Sequence, residues 1–310
     1  MKVAFLFPGQ GSQKVGMLRE WMEEDPQGVR EVFERASSIC GEDLLRLALE
    51  GPEEELNLTK NSQPIILTMS AFIAKKIPFS PDVVAGHSLG EYSALLYAGS
   101  FTFDEAVYLV RKRGEIMQEA SPLGEGTMVA VVGLPLPLVE SMVLSLRREG
   151  RVEIANVNSS DQVVLSLERV LLPRVLEEVK HLGGKKALEL RVSAPFHSSF
   201  MEKARESFAQ VLDGITIRKP RYLYVSNVTA SFVSDPEEIR SLLLQQLTAT
   251  VRWKDIMDLL VQEGVKKVLE VGPGMVLTKL FEREYPEVLA FPTSSPQHLK
   301  TALREVGEDR

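Results

Sequence analysis

The sequence predicts an α/β protein: a large part built on a parallel sheet covered on both faces, interrupted by a smaller inserted unit. Three observations carry this. Short apolar runs alternate with amphipathic helical patterns through most of the chain, as strands joined by helical crossovers do. From Gly124 to Val192 the order changes to strand, helix, strand, strand, helix, strand, the βαββαβ order of a ferredoxin-like split unit. The 310 residues, 44% hydrophobic and 25% charged, suit one large domain carrying an insertion. The expected division is 1–123 with 193–310 for the large domain and 124–192 for the small one.

Residues 3–7 read as the first strand, ended by Pro8-Gly9-Gln10-Gly11-Ser12. Lys14 stands where a dinucleotide fingerprint needs a third small residue, and no Gly-Lys-Ser/Thr follows. The exposed backbone N–H groups of this turn suit an oxyanion instead. Helical patterns run over 17–40 and 44–50, and Ser62-Gln63-Pro64 opens another to about 76. Between them, Glu53 to Glu55 follow a Gly-Pro turn and complement a helix N-terminus rather than form a catalytic cluster. Residues 83–85 are a buried strand, and a helix after Gly90 closes at Gly99. Thr102 and Glu105 form a capping box for a helix to about 120. The insertion holds strands at 127–132, 151–157, 162–167 and 185–192, with helices at 136–149 and 168–181. Beyond it come a helix from Ser198 or Ser199 to 212, a strand at 221–227 and helices at 236–247 and 253–263. A strand at 266–271, a helix at 276–284, an edge strand at 288–291 and a helix from about His298 complete the chain.

The net charge of −7 offers no whole-chain basic field for nucleic acid. No apolar run approaches the ~20 residues that cross a bilayer, and 3–7 is too short for an export signal. Cys40 is the single cysteine, so no internal disulfide forms and no zinc site is expected. These features point to a cytoplasmic protein without a membrane partner.

Gly86-His87-Ser88-Leu89-Gly90 falls between the strand at 83–85 and a helix, where a nucleophilic serine on a sharp turn belongs. The pattern alone arises by chance in about one chain in ten of this length; its flanking elements give it weight. A serine needs a base. Of four histidines, His181 sits at a helix end, His298 lies near the tail, and His87 adjoins Ser88 on a turn where consecutive residues point apart. His197, in a strand-to-helix loop after the nucleophile, is the best placed. No orienting acid is visible; a backbone carbonyl serves equally. On the helix over 103–120, Ala106, Leu109, Val110, Ile116, Met117 and Ala120 share one face. Arg113 lies within that stripe, whereas Arg111, Lys112 and Glu115 fall on a solvated side. An inward arginine requires either a buried structural acid or an anionic ligand.

Seven ordered blocks resemble the malonyl-CoA:acyl carrier protein transacylases of fatty-acid synthesis. They are Phe7-Pro8-Gly9-Gln10-Gly11-Ser12-Gln13; Gly86 to Ala94; Arg113-Gly114 with Met117 to Ala120; Asn158 with Gln162-Val163-Val164; Pro195-Phe196-His197; Gln246-Leu247 with Val251-Arg252-Trp253; and Glu270 to Gly274. The resemblance implies an α/β-hydrolase-like large domain with a ferredoxin-like insertion. It implies Ser88 as nucleophile, His197 as base, backbone N–H groups of Gln10 and Leu89 as oxyanion hole, and the Gln246 main-chain carbonyl as the orienter of His197. Arg113 would bind the malonyl carboxylate bidentately. Met117, Asn158 and Gln162 would line the cleft, and Phe196 would crowd a methyl-branched substrate. Malonyl-CoA and an acyl carrier protein are then the partners, with no cofactor or metal and a monomeric chain. Carrier proteins of this kind are acidic, which makes Lys185, Lys186 and Arg191 candidates for docking. The alternatives are a serine esterase or thioesterase, which has no use for an inward cation, a polyketide-type acyltransferase, and a non-catalytic carrier-binding module. Relatives often have Pro before Val251, and a Gly often follows where this chain has Leu165-Ser166-Leu167 after Gln162-Val163-Val164; both departures bear on loop shape at the cleft.

Overall fold

The computed structural model describes residues 2–120 and 124–307. Its ten strands are β1 (Lys2–Phe7), β2 (Val83–Gly86), β3 (Gly126–Val132), β4 (Val152–Ser159), β5 (Gln162–Glu168), β6 (Lys186–Glu189), β7 (Leu223–Val225), β8 (Phe232–Val233), β9 (Val265–Glu270) and β10 (Leu289–Pro292). They form a six-stranded sheet ordered β10-β9-β1-β2-β7-β8 and a separate four-stranded sheet ordered β4-β5-β3-β6. In the first, β10, β9, β1, β2 and β7 are parallel, and β8 returns antiparallel to β7. All pairings in the second are antiparallel.

Side-chain alternation explains why the large sheet needs helices on both faces. Val3, Phe5 and Phe7 enter one core with Val84, whereas Ala4 and Leu6 enter another with Val83 and Ala85. The first core is completed by helices including Pro26–Cys40, Thr59–Ala74 and Phe103–Glu119; the second by Trp253–Gln262 and Val276–Glu284. A third core joins the small sheet to helices Leu136–Leu146 and Leu172–His181. The small sheet is tied to the rest of the chain at the outer edge of β4, by the segment between helices Pro236–Gln246 and Trp253–Gln262. Val251 N–H donates to Ala155 O at 2.9 Å, Val157 N–H to Val251 O at 3.0 Å, and Thr250 Oγ1 to Ile154 O at 2.7 Å. Residues 121–123, where the expected boundary falls, lie outside the described residues.

Several boundaries differ from expectation for local reasons. The pattern over 17–40 is two helices, Arg19–Glu24 and Pro26–Cys40, because Pro26 cannot donate within a helix and Asp25 instead caps the second through Gly28 N at 2.9 Å. The next long helix starts at Thr59, not Ser62, and carries Pro64 inside it. The missing Pro64 N–H would have met Lys60 O; Arg111 Nη1 fills that place at 3.1 Å. Arg111 is therefore not on a solvated face. It is 11% exposed and also bonds Asn61 Oδ1 at 2.7 Å and Glu115 Oε1 at 2.7 Å. β6 stops at Glu189, short of 192, and the two-residue β8 carries too little pattern to be seen in sequence. The capping box of Thr102 and Glu105 and the left-handed Gly99 follow expectation.

Candidate active site

Parallel strands deliver the site. Gln10 follows β1 and Ser88 follows β2, both at carboxyl ends of neighbouring strands, where open α/β sheets leave a crevice. The turn after β2 closes tightly: a Cβ on Gly86 would lie 1.9 Å from Gly90 O, and one on Gly90 would lie 1.9 Å from Phe7 O. Only glycine fits either place. Ser88 itself takes φ 52°, ψ −109°, a conformation that costs a side-chain-bearing residue about 1–3 kcal/mol.

Ser88 Oγ lies 2.8 Å from His197 Nε2, and His197 Nδ1 lies 2.8 Å from the main-chain O of Gln246. A carbonyl only accepts, so Nδ1 carries the proton and Nε2 is left to accept from the serine hydroxyl. Burial, then the nearby Arg113 charge, lowers the His197 pKa to about 3, so the ring is neutral at physiological pH. His197 also sits at φ 53°. Gln10 and Leu89 line the same cleft, and their N–H groups donate to no described residue. Those of Gly90 and Glu91, by contrast, are used within the turn.

Arg113 is 1% exposed. Its Nη1 donates to Gln63 Oε1 at 2.8 Å, and its Nη2 to Gln246 Oε1 at 2.7 Å and Ser88 Oγ at 3.2 Å. Its guanidinium lies 5.3 Å from the Tyr92 ring centroid. Burial pulls its pKa down, opposed by Tyr92 and Glu91, but no described carboxylate reaches ion-pair distance. Of the two possibilities left open by the sequence, the buried structural acid is therefore not in contact, and the cation faces neutral acceptors beside the serine. The cleft holding these groups has a volume of about 430 Å³.

A hydroxyl on a strand-to-helix elbow, a neutral imidazole beside it and unused backbone donors in the cleft-lining residues suit acyl-transfer chemistry. Comparison with known proteins agrees: residues 4–300 match the family described as "Acyl transferase domain". The chain belongs to this acyl transferase family. This acyltransferase is 40% identical to the malonyl CoA-acyl carrier protein transacylase of Bacillus subtilis, across 99% of this chain and 98% of the relative. Among solved structures, the malonyl CoA-acyl carrier protein transacylase of Coxiella burnetii superposes with a TM-score of 0.95 at 38% identity, covering 99% of this chain and 98% of that one. A malonyl-transacylase solved in complex with a type II polyketide-synthase acyl carrier protein gives 0.95 at 39% identity, covering 98% and 100%.

The remaining expected residues of the acyltransferase divide. Met117, Asn158 and Phe196 line the cleft; Gln162 does not, because β5 pairs it with Val132 and Ser159 beyond the cleft end, and Val164 lines the wall instead. Arg191 is exposed at the cleft, whereas Lys185 and Lys186 are exposed at the far end of β6, opposite Val132. His87 is a packing residue held by Asn158 Oδ1 at 2.8 Å and set against Trp253. Cys40 is buried, which pushes its thiol pKa up to about 11. Three groups escaped the sequence reading: Gln63, Glu91 and Asn227, all buried. Glu91 left a signal, being the one charged residue in the helix Leu89–Tyr97. Gln63 and Asn227 left none.

Proposed function

We propose that this acyltransferase moves the malonyl group of malonyl-CoA to the phosphopantetheine thiol of an acyl carrier protein through a malonyl-Ser88 intermediate. The single observation that carries the substrate choice is Arg113, a buried cation without a carboxylate partner, 3.2 Å from the nucleophile. An acyl group with its own carboxylate completes that site; a neutral ester does not. The similarity to malonyl-transacylases supports the same reading.

In the first half-reaction Ser88 Oγ attacks the thioester carbonyl carbon while its proton passes to His197 Nε2. The Gln10 and Leu89 N–H groups receive the oxyanion. The C–S bond breaks, and the CoA sulfur leaves with the proton from Nε2. In the second half the carrier thiol gives its proton to Nε2, sulfur attacks the ester, and Ser88 recovers its hydroxyl. The Gln246 carbonyl holds the imidazole in the required tautomer, Arg113 takes the malonyl carboxylate, and Met117 and Phe196 close the wall against branched acyl groups. No step calls on a metal or cofactor, and the chain works as a cytoplasmic monomer. The finer description of the fold is part of this reading: the β4-β5-β3-β6 order supports a ferredoxin-like insertion over 124–192, and the elbow supports an α/β-hydrolase-like large domain.

Incubation with malonyl-CoA should add one malonyl group to the peptide containing Ser88, seen by mass spectrometry. An unmodified Ser88 peptide in an active preparation would sink the mechanism. A pH series tests the base. Because His197 binds its proton only far below the ordinary histidine range, Ser88 acylation should stay level from pH 8 down to about 5. Removing the Arg113 charge takes away one lowering influence, so the acid limb of Arg113→Ala should move upward. A wild-type limb centred near pH 6.5 would contradict a buried neutral base.

A further inference from the structure

Glycines allow the elbow to close, but they do not hold Ser88 at its positive φ. Two backbone groups around the nucleophile end on one side chain. Asn227 Nδ2 donates to Gly86 O at 2.6 Å, and Asn227 Oδ1 accepts from Ser88 N–H at 2.7 Å. The orientation of the carboxamide is forced, because one partner only accepts and the other only donates. Asn227 is fully buried and does not line the cleft. It follows β7, the neighbour of β2 in the sheet, so a separate strand braces the turn.

The brace is itself anchored. Asn227 N–H donates to Glu91 Oε1 at 3.0 Å, and the Tyr224 hydroxyl donates to the same oxygen. Glu91 Oε2 accepts from Gln246 Nε2, which also reaches Ser88 O at 3.0 Å. Since Gln246 holds His197 through its main chain and Arg113 through its side chain, all three site groups are referred to one buried carboxylate.

We propose that Asn227 is a positioning residue for acyl transfer: its carboxamide ties Gly86 to Ser88 across the elbow and keeps Oγ on His197 Nε2. The inference rests on the reading of Ser88 as nucleophile. It also gives the oxyanion hole its composition. With the Ser88 N–H committed to Asn227, the Leu89 N–H is the donor left free on this side of the turn.

The test is single-turnover malonylation of Ser88, with steady-state kinetics and thermal melting, in Asn227→Leu and Asn227→Asp. Leucine removes both bonds. Aspartate keeps the acceptor toward Ser88 N–H and turns an oxygen against Gly86 O. A misplacement on the order of 1 Å costs about 10²-fold, so acylation should fall about 100-fold in Asn227→Leu and about 10-fold in Asn227→Asp. KM for malonyl-CoA should stay within about threefold, because the cleft and Arg113 remain. If Asn227→Leu does not fold, Asn227→Asp decides alone: a slowed acylation at an unchanged melting temperature upholds the proposal. Acylation within about threefold of wild type in the folded variants overturns it, as does a fall in kcat matched by an equal rise in KM. Wild-type protein run alongside separates the two readings, since failure to malonylate Ser88 there refutes the mechanism and not the brace.

Discussion

Replacing Arg113 with alanine should lower kcat/KM for malonyl-CoA by about 10³-fold while acetyl transfer from acetyl-CoA holds or rises. The argument is one of unmet charge. The guanidinium is buried and its partners Gln63, Gln246 and Ser88 are all neutral. A malonyl carboxylate is the strongest partner that site can receive, and truncating one side of a buried charge pair costs about 2–5 kcal/mol. An acetyl group has no carboxylate to lose. It also gains, because Nη2 no longer donates to Ser88 Oγ, whose lone pair is then free for attack. Side-by-side initial rates with the two donors decide the matter; an equal fall in both would make Arg113 a member of the structural core.

The second large effect concerns Ser88 and His197, the proposed nucleophile and base. Ser88→Ala and His197→Ala should each lower malonyl transfer by about 10⁴-fold or more, and the double variant should be no slower than the worse single one. Groups that act as one unit fail as one unit. Every proton that His197 moves in this scheme belongs to forming or resolving the ester on Ser88 Oγ, 2.8 Å away, so without the serine the ring has no ester to serve. Losses that multiply in the double variant would mean that His197 also acts independently of Ser88, and the proton path described above would be wrong.

Much of this fold and site is legible in the sequence. Strand and helix order could be read because a parallel sheet buried on both faces demands apolar runs, as in Val3–Phe7, and its helices keep a helical period. Arg113 stood out because a cation interrupts an apolar stripe. The Pro64 helix could not be read, since its exception depends on Arg111, distant in sequence, supplying the missing donor. Lys185 and Lys186 are cations like Arg191, yet they stand at the start of β6, opposite Val132, at the end away from the cleft. The orienter of His197 is a main-chain carbonyl, which any residue possesses, so no residue type marks it; only the family resemblance pointed to Gln246. Asn227 is the sharpest case. Its role lies in two backbone bonds formed 139 and 141 positions away in sequence, and an asparagine after a strand reads as an ordinary turn.

The pairing of Thr250 and Val251 with β4 has a consequence for taking the protein apart. β4 is the outermost strand of its sheet, and those two residues cover its free edge. A fragment comprising 124–192 alone would leave that row of backbone donors and acceptors bare, and a bare strand edge recruits further strands. The small sheet has its own core, but its outer edge is covered by the segment that follows Gln246. Excised halves should self-associate, and the smallest well-behaved unit is the chain that contains both sheets.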